Sequence, residues 1–262
     1  MMHASPDRLN DPAAPVYGLI LAGGSSSRMH RDKAALQYRG ESQLDRAFEL
    51  ARRHVSPVFV SVRASQTADP TRAHRPMIVD SVAGEGPIVG IRSALAAHPE
   101  AAWLVLACDL PFLDEATLAH LLRARAPART ATAYCSSHDG LPEPLCAIYE
   151  PRSREPLAAY AAAGKQCPRK FLLGADTLLL DQPNPRALDN VNTPEEYGFA
   201  MATLTAPSSA ATRHITVQYY ALLREQAWRR EEARRITRER RPDLWTAYLA
   251  GHDSRKKTPP EG

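Results

Sequence analysis
The chain has 262 residues, 44% hydrophobic and 24% charged, a length that buries a real core in one large or two smaller domains and a composition ordinary for a soluble globular protein. No apolar run reaches the length a membrane span needs, which excludes a transmembrane helix. The net charge of +4 is mild and uneven, with arginines crowding residues 224–257, so it says little about what the rest of the chain binds.

Residues 1–15 are polar and proline-bearing and lack the apolar core of a signal peptide, so a short flexible leader on a cytoplasmic protein is expected. VYGLIL at 16–21 is a short apolar run ending in glycines, as a buried strand is. Residues 42–55 read as a helix: Ser42 caps it, Asp45 sits at the third helical position, and Leu44, Ala47, Phe48 and Ala51 form one apolar stripe. PVFVSV at 57–62 is a second strand, and 77–79 a brief third that ends at Asp80. GEGP at 84–87 is a turn, followed by a helix over 90–98. AWLVLA at 102–107 is the clearest buried strand, stopped by CDLP, and Asp114 caps the next helix, whose inner face carries Leu118, Leu121 and Leu122. Strands over 130–134 and 144–149, a helix over 151–163 ending at Gly164, and a last strand over 177–180 follow. Thr193-Pro194-Glu195-Glu196 opens a final helix, with Thr capping, Pro at the first helical position and Glu196 closing a capping box. Cys108, Cys135, Cys146 and Cys167 are widely spaced with no C-x-x-C pair and read as idle thiols.

Strands alternating with helices predict a mostly parallel α/β sheet covered on both faces, and such sheets bind ligands beyond the carboxyl ends of their strands. The loop after 16–21, Asp80 and Asp109 all lie at such ends. The loop reads LAGGSSSRMHRDKAAL. Gly23 and Gly24 allow positive φ and close backbone approach, amides in such a loop form an anion nest, and Arg28 and Lys33 add cations: together, a polyphosphate cradle. It is neither a Walker loop nor G-x-G-x-x-G. Asp109 is costly to bury unless paired or bound to a cation, and Mg²⁺ takes one or two carboxylates plus phosphate oxygens. A helix-capping or turn role before Pro111 stands beside that metal role. Asp80 has the same two readings, and Gly84, Gly86 and Gly90 after it would let backbone approach a base or ribose.

LAGGSSSRMHRDKAAL, with CDLPF, GEGPIVGI, PLCAIY and NVNTPEEY in that family's order, resembles the MobA family of molybdenum cofactor guanylyltransferases over about residues 16–201. The resemblance implies a Rossmann-like nucleotidyltransferase fold and the transfer of GMP from GTP to the terminal phosphate of molybdopterin, with pyrophosphate leaving. It implies nucleotide contacts from Leu21, Ala22 and Gly23, a phosphate-binding Lys33, a guanosine-side Asp80, and Mg²⁺ on Asp109; the loop's own chemistry adds Gly24 to the nucleotide contacts and Arg28 to the cations. Arg63 stands near the nucleotide where the family often has asparagine, and His30 replaces the usual glycine after Met29. Asn190 and Asn192 match an asparagine motif on the pterin side, and helix-entry and turn chemistry explains them equally. Pro144 is carried over to the acceptor pocket.

Residues 202–213 are a Ser/Thr/Ala/Pro linker. HITVQYYALL at 214–223 reads as a strand and resembles the start of a MoaD-like domain; the arginine-rich remainder to 262 does not continue that resemblance and is expected to be poorly ordered. Nucleic-acid binding by this tail is not supported, because Trp228 is the single aromatic residue among the arginines of 224–241 and stacking requires aromatics interleaved with the cations. Two other functions remain open on sequence: a related nucleotidyltransferase using CTP or another phosphorylated acceptor, and a non-catalytic nucleotide-binding protein.

Overall fold
The apolar runs become strands and the amphipathic runs helices in the expected order. The structure, a computed structural model, describes residues 13–23, 37–38, 40–191 and 194–205. Its elements are β1 (Val16–Leu21), β2 (Gln37–Tyr38), β3 (Glu41–Ser42), α1 (Gln43–Arg52), β4 (Val58–Val62), β5 (Met77–Val79), α2 (Pro87–Ala97), β6 (Ala102–Ala107), α3 (Glu115–Arg123), β7 (Ala131–Cys135), β8 (Pro142–Tyr149), α4 (Arg154–Ala162), α5 (Pro168–Gly174), β9 (Thr177–Leu180) and α6 (Pro194–Thr205). Seven strands form one sheet in the order β5-β4-β1-β6-β8-β7-β9, and β8 alone runs against its neighbours. The Rossmann-like, mostly parallel architecture is therefore present.

Alternation along the strands sends side chains to two cores. On one face Ile20, Val58, Val60, Leu104 and Leu106 pack with Leu44, Ala47 and Ala51 of α1 and Leu118 and Leu121 of α3. On the other, Leu19, Trp103, Val105 and Tyr149 pack with Ile88, Ile91 and Leu95 of α2, Leu157 of α4 and Phe171 of α5. β6 is buried at every position, as its uninterrupted apolar sequence requires.

Local chemistry sets the helix starts. Ser42 accepts the Asp45 N–H at 3.0 Å, and Asp114 accepts the Thr117 N–H at 2.8 Å. α2 begins at Pro87, three residues before the expected start, because Gly86 turns the chain at φ +75° and Pro87 supplies a first helical residue with no N–H to satisfy. α1 stops at Arg52, and the helix expected over 151–163 is a 3₁₀ turn over Pro151–Ser153 followed by α4. The β2–β3 hairpin and α5 were not expected from sequence: both are too short for a periodic signal. Gly24, Arg28, His30, Lys33, Asn192, the capping Thr193 and the strand expected over 214–223 lie outside the described residues.

Candidate active site
β1, β4, β5 and β6 are adjacent parallel strands, so their carboxyl ends share one edge of the sheet. Register decides what meets there. Leu21 pairs with Ser61 on one side and Ala107 on the other, and Val62 pairs with Val79. Continued past the last pairs, that register puts Asp80, Arg63, Gly23 and Asp109 in one row across four strands. Three inter-strand spacings separate its ends, about 14 Å.

At one end, Asp80 is tied to β4 by its own N–H, which donates to Val62 O at 2.9 Å. Its half-buried carboxyl is pushed above the usual carboxylate range by desolvation, which the Ser61 hydroxyl and the Arg63 charge only partly oppose. Ser61 Oγ lies 3.5 Å from Asp80 Oδ1. Gly90 of α2 makes room for that hydroxyl: a Cβ there would stand 2.3 Å from Ser61 Oγ and 3.0 Å from Leu21 Cδ2. The close approach that Gly90 was expected to offer a ligand is thus spent on packing α2 against the sheet. The loop from Ser81 to Gly86 is latched at three points. Ser81 N–H donates to Ser93 Oγ at 2.9 Å, Arg92 donates to Ala83 O at 3.2 Å, and Glu85 N–H donates to Gln166 Oε1 at 2.7 Å.

In the middle, Ala22 N–H donates to Ser61 O at 3.4 Å, and the Ala22 carbonyl accepts from the fully buried Arg72. Gly23 does not use the positive φ that its glycine permits. A Cβ there would meet its nearest neighbour, Gln66 Oε1, at 3.6 Å. Arg63 is exposed, and its N–H donates to Gln66 Oε1 at 3.0 Å.

At the other end, Asp109 is half-buried just past β6. It does not cap α3, since Asp114 does. Its carbonyl accepts the Val191 N–H at 3.3 Å, which brings the exposed Asn190 beside it although 80 residues of sequence intervene. Phe112 and Phe199 brace that segment by flanking the Arg186 guanidinium at 4.7 and 5.2 Å. Pro144 is buried within β8, where its carbonyl accepts from the Tyr149 hydroxyl at 3.0 Å. All four cysteines are free thiols. No helix of the described residues is long and apolar enough to cross a membrane.

The sequence reading missed Arg72, Ser61 and Gln166. Nothing in their local sequence marks them, because each acts through a partner distant in the chain.

Comparison with known proteins gives the same picture. Residues 18–179 match the model of the MobA-like NTP transferase domain. The chain is 37% identical over 186 residues to a molybdenum cofactor guanylyltransferase of Pseudomonas paraeruginosa, covering 69% of this chain and 92% of that one. It is 35% identical over 184 residues to a molybdenum cofactor biosynthesis bifunctional protein of Synechocystis, where it spans 53% of the relative's length. Among solved structures it resembles molybdopterin-guanine dinucleotide biosynthesis protein A of Archaeoglobus fulgidus, with a TM-score of 0.61 at 21% identity over 71% of this chain and 96% of that one. A 2-C-methyl-D-erythritol 4-phosphate cytidylyltransferase of Thermus thermophilus shares the fold, with a TM-score of 0.54 at 16% identity over 70% and 96% of the two chains. With the sheet order, the strand-end row and a domain match over residues 18–179, the chain belongs to the MobA-like NTP transferase family of nucleotidyltransferases.

Proposed function
We propose that this protein transfers GMP from GTP to the terminal phosphate of molybdopterin, in the cytoplasm, releasing pyrophosphate. The observation that carries this reading is the row of Asp80, Arg63, Gly23 and Asp109 across four neighbouring strand ends. Its length of about 14 Å accommodates a nucleoside at Asp80 and phosphates between Gly23 and Asp109. The names of the aligned relatives support guanine nucleotide and molybdopterin as the substrates.

In this reading Asp80 and its neighbour Arg63 receive the guanosine, on a loop that Ser93, Arg92 and Gln166 hold in place. Leu21, Ala22, Gly23 and Gly24 offer backbone to the triphosphate, and Lys33 and Arg28 neutralise it. Asn190 and Asn192 receive the acceptor on the Asp109 side. An oxygen of its terminal phosphate attacks the α-phosphorus, the α–β phosphoanhydride bond breaks, and the electron pair leaves with pyrophosphate. The chain supplies alignment and charge, which is what phosphoryl-type transfer needs, and no covalent nucleophile.

The residues present fit Mg²⁺. Among the described residues no three His, Cys, Asp or Glu side chains cluster as a ready-made cage. A single strand-end carboxylate, Asp109, matches an ion that arrives on the triphosphate and keeps phosphate oxygens and waters as its other ligands. Asp109 would hold the ion, which would supply charge neutralisation for the phosphates and the leaving group.

The test is a panel of the four ribonucleoside triphosphates with purified molybdopterin and magnesium, read by pyrophosphate release and the mass of the product. GTP should be used in preference to the others. Preference for CTP would move the protein to the cytidylyl branch of the fold, and binding without turnover would make it a nucleotide-binding protein.

A further inference from the structure
Arg72 is buried completely, yet it carries a permanent charge. Burying a guanidinium is expensive, and its carboxylate partner Asp69 is itself 29% exposed. An apolar side chain would fill the same space at less cost, so the position must be using the donors. They are spent unusually. Nε and Nη2 both donate to one acceptor, the Ala22 carbonyl, at 3.2 and 2.9 Å, while Nη1 donates to Asp69 Oδ2 at 2.6 Å. Asp69 is fixed in turn, its Oδ1 accepting the Thr71 N–H at 2.8 Å.

The Ala22 carbonyl belongs to the same rigid plane as the Gly23 N–H. In a trans peptide these two bonds point in opposite directions. Gripping the carbonyl therefore turns the Gly23 N–H away from Arg72. Without the grip this peptide would turn readily, because two glycines follow it and neither has a side chain to hold it.

We infer that Arg72 is a positioning residue for nucleotide binding, which sets the Ala22–Gly23 peptide so that the Gly23 N–H is ready for a phosphate oxygen before the ligand arrives. This rests on the nucleotidyltransferase reading above. It assigns a preorganising role to a fully buried residue. Lysine could not replace it, since an ammonium cannot place two parallel N–H bonds on one carbonyl and a third on a carboxylate.

The experiment uses the full chain and calorimetry with three probes: magnesium GTP, magnesium pyrophosphate and guanosine. Arg72→Lys should weaken GTP and pyrophosphate by about tenfold or more, a modest fraction of what misplaced groups cost, and leave guanosine affinity unchanged. Asp69→Asn, which touches the surface and leaves the arginine in place, should weaken the same two probes by a smaller factor and carries the test if Arg72→Lys does not fold. Thermal melts confirm that each variant is folded at the assay temperature. Unchanged pyrophosphate affinity in folded variants, or an equal loss for guanosine, would overturn the role and leave Arg72 a purely structural residue. If the unaltered protein binds no triphosphate, the functional reading falls and this inference with it; if it binds and both variants bind equally well, only this inference falls.

Discussion

Asp80 sits where its charge is disfavoured: desolvation raises its pKa above the usual 3.8 despite Ser61 and Arg63. The native state therefore holds the proton more tightly than the unfolded chain. The stability this contributes is complete below the unfolded value of 3.8 and is lost as pH rises through the higher native value. Asp80→Asn should then melt at a higher temperature than the unaltered protein at pH 7, with the gap closing as pH falls below that range, while guanosine binding weakens. Melting curves from pH 3.5 to 8 check this, and a variant less stable at pH 7 would show that the carboxylate is better satisfied than its surroundings indicate. Asp109 makes the complementary case. Asp109→Ala should lower magnesium-dependent transfer by about a hundredfold or more and change stability by less than about 1 kcal/mol, because no core volume is lost. Full turnover in that variant would remove Asp109 from the metal site. Both aspartates were visible in the sequence, each as the polar residue that ends an apolar run. Ser61, Arg72 and Gln166 were not, because a residue that works by holding another shows nothing until the two are brought together.

The helices dock at distances set by single residues. α2 lies close against β1 and β4 because Gly90 has no side chain; a methyl group would stand 2.3 Å from Ser61 Oγ. Gly90→Ala should cost about 1–3 kcal/mol by overpacking, and should also disturb the Ser61 hydroxyl that faces Asp80. Chemical denaturation measures the first effect and guanosine affinity the second. If the variant is as stable as the unaltered protein, the helix has slack that the structure does not show. Most elements were legible from capping residues and apolar period: Ser42 and Asp114 cap where expected, and β1 and β6 run where their apolar stretches do. Gly84 and Gly86 were legible as a turn, though not as the start of a helix at Pro87. α5, a seven-residue helix, repeats its pattern too few times to be seen.

Long-range ties complete the fold. Arg125, just after α3, makes a two-pronged ion pair with Glu150 at the end of β8, both bonds 2.7 Å, and also donates to Ala14 O at 2.8 Å ahead of β1. Glu150 is 1% exposed. Arg125→Ala should therefore cost about 3–5 kcal/mol by stranding a buried carboxylate, and Arg125→Met with Glu150→Leu should recover most of it. A loss under about 1 kcal/mol in urea denaturation would mean that water reaches the carboxylate. On the scale of the whole chain, the amino-acid order alone determined the alternation of strands and helices, the parallel class of the sheet, and which residues end which strands. Those follow from local propensity and apolar periodicity, and they act over a few residues at a time. The order of strands in space, the antiparallel β8, and the register that aligns Asp80, Arg63, Gly23 and Asp109 were decided only in the tertiary structure. A strand has two edges and many possible partners, and only packing both faces at once selects among them.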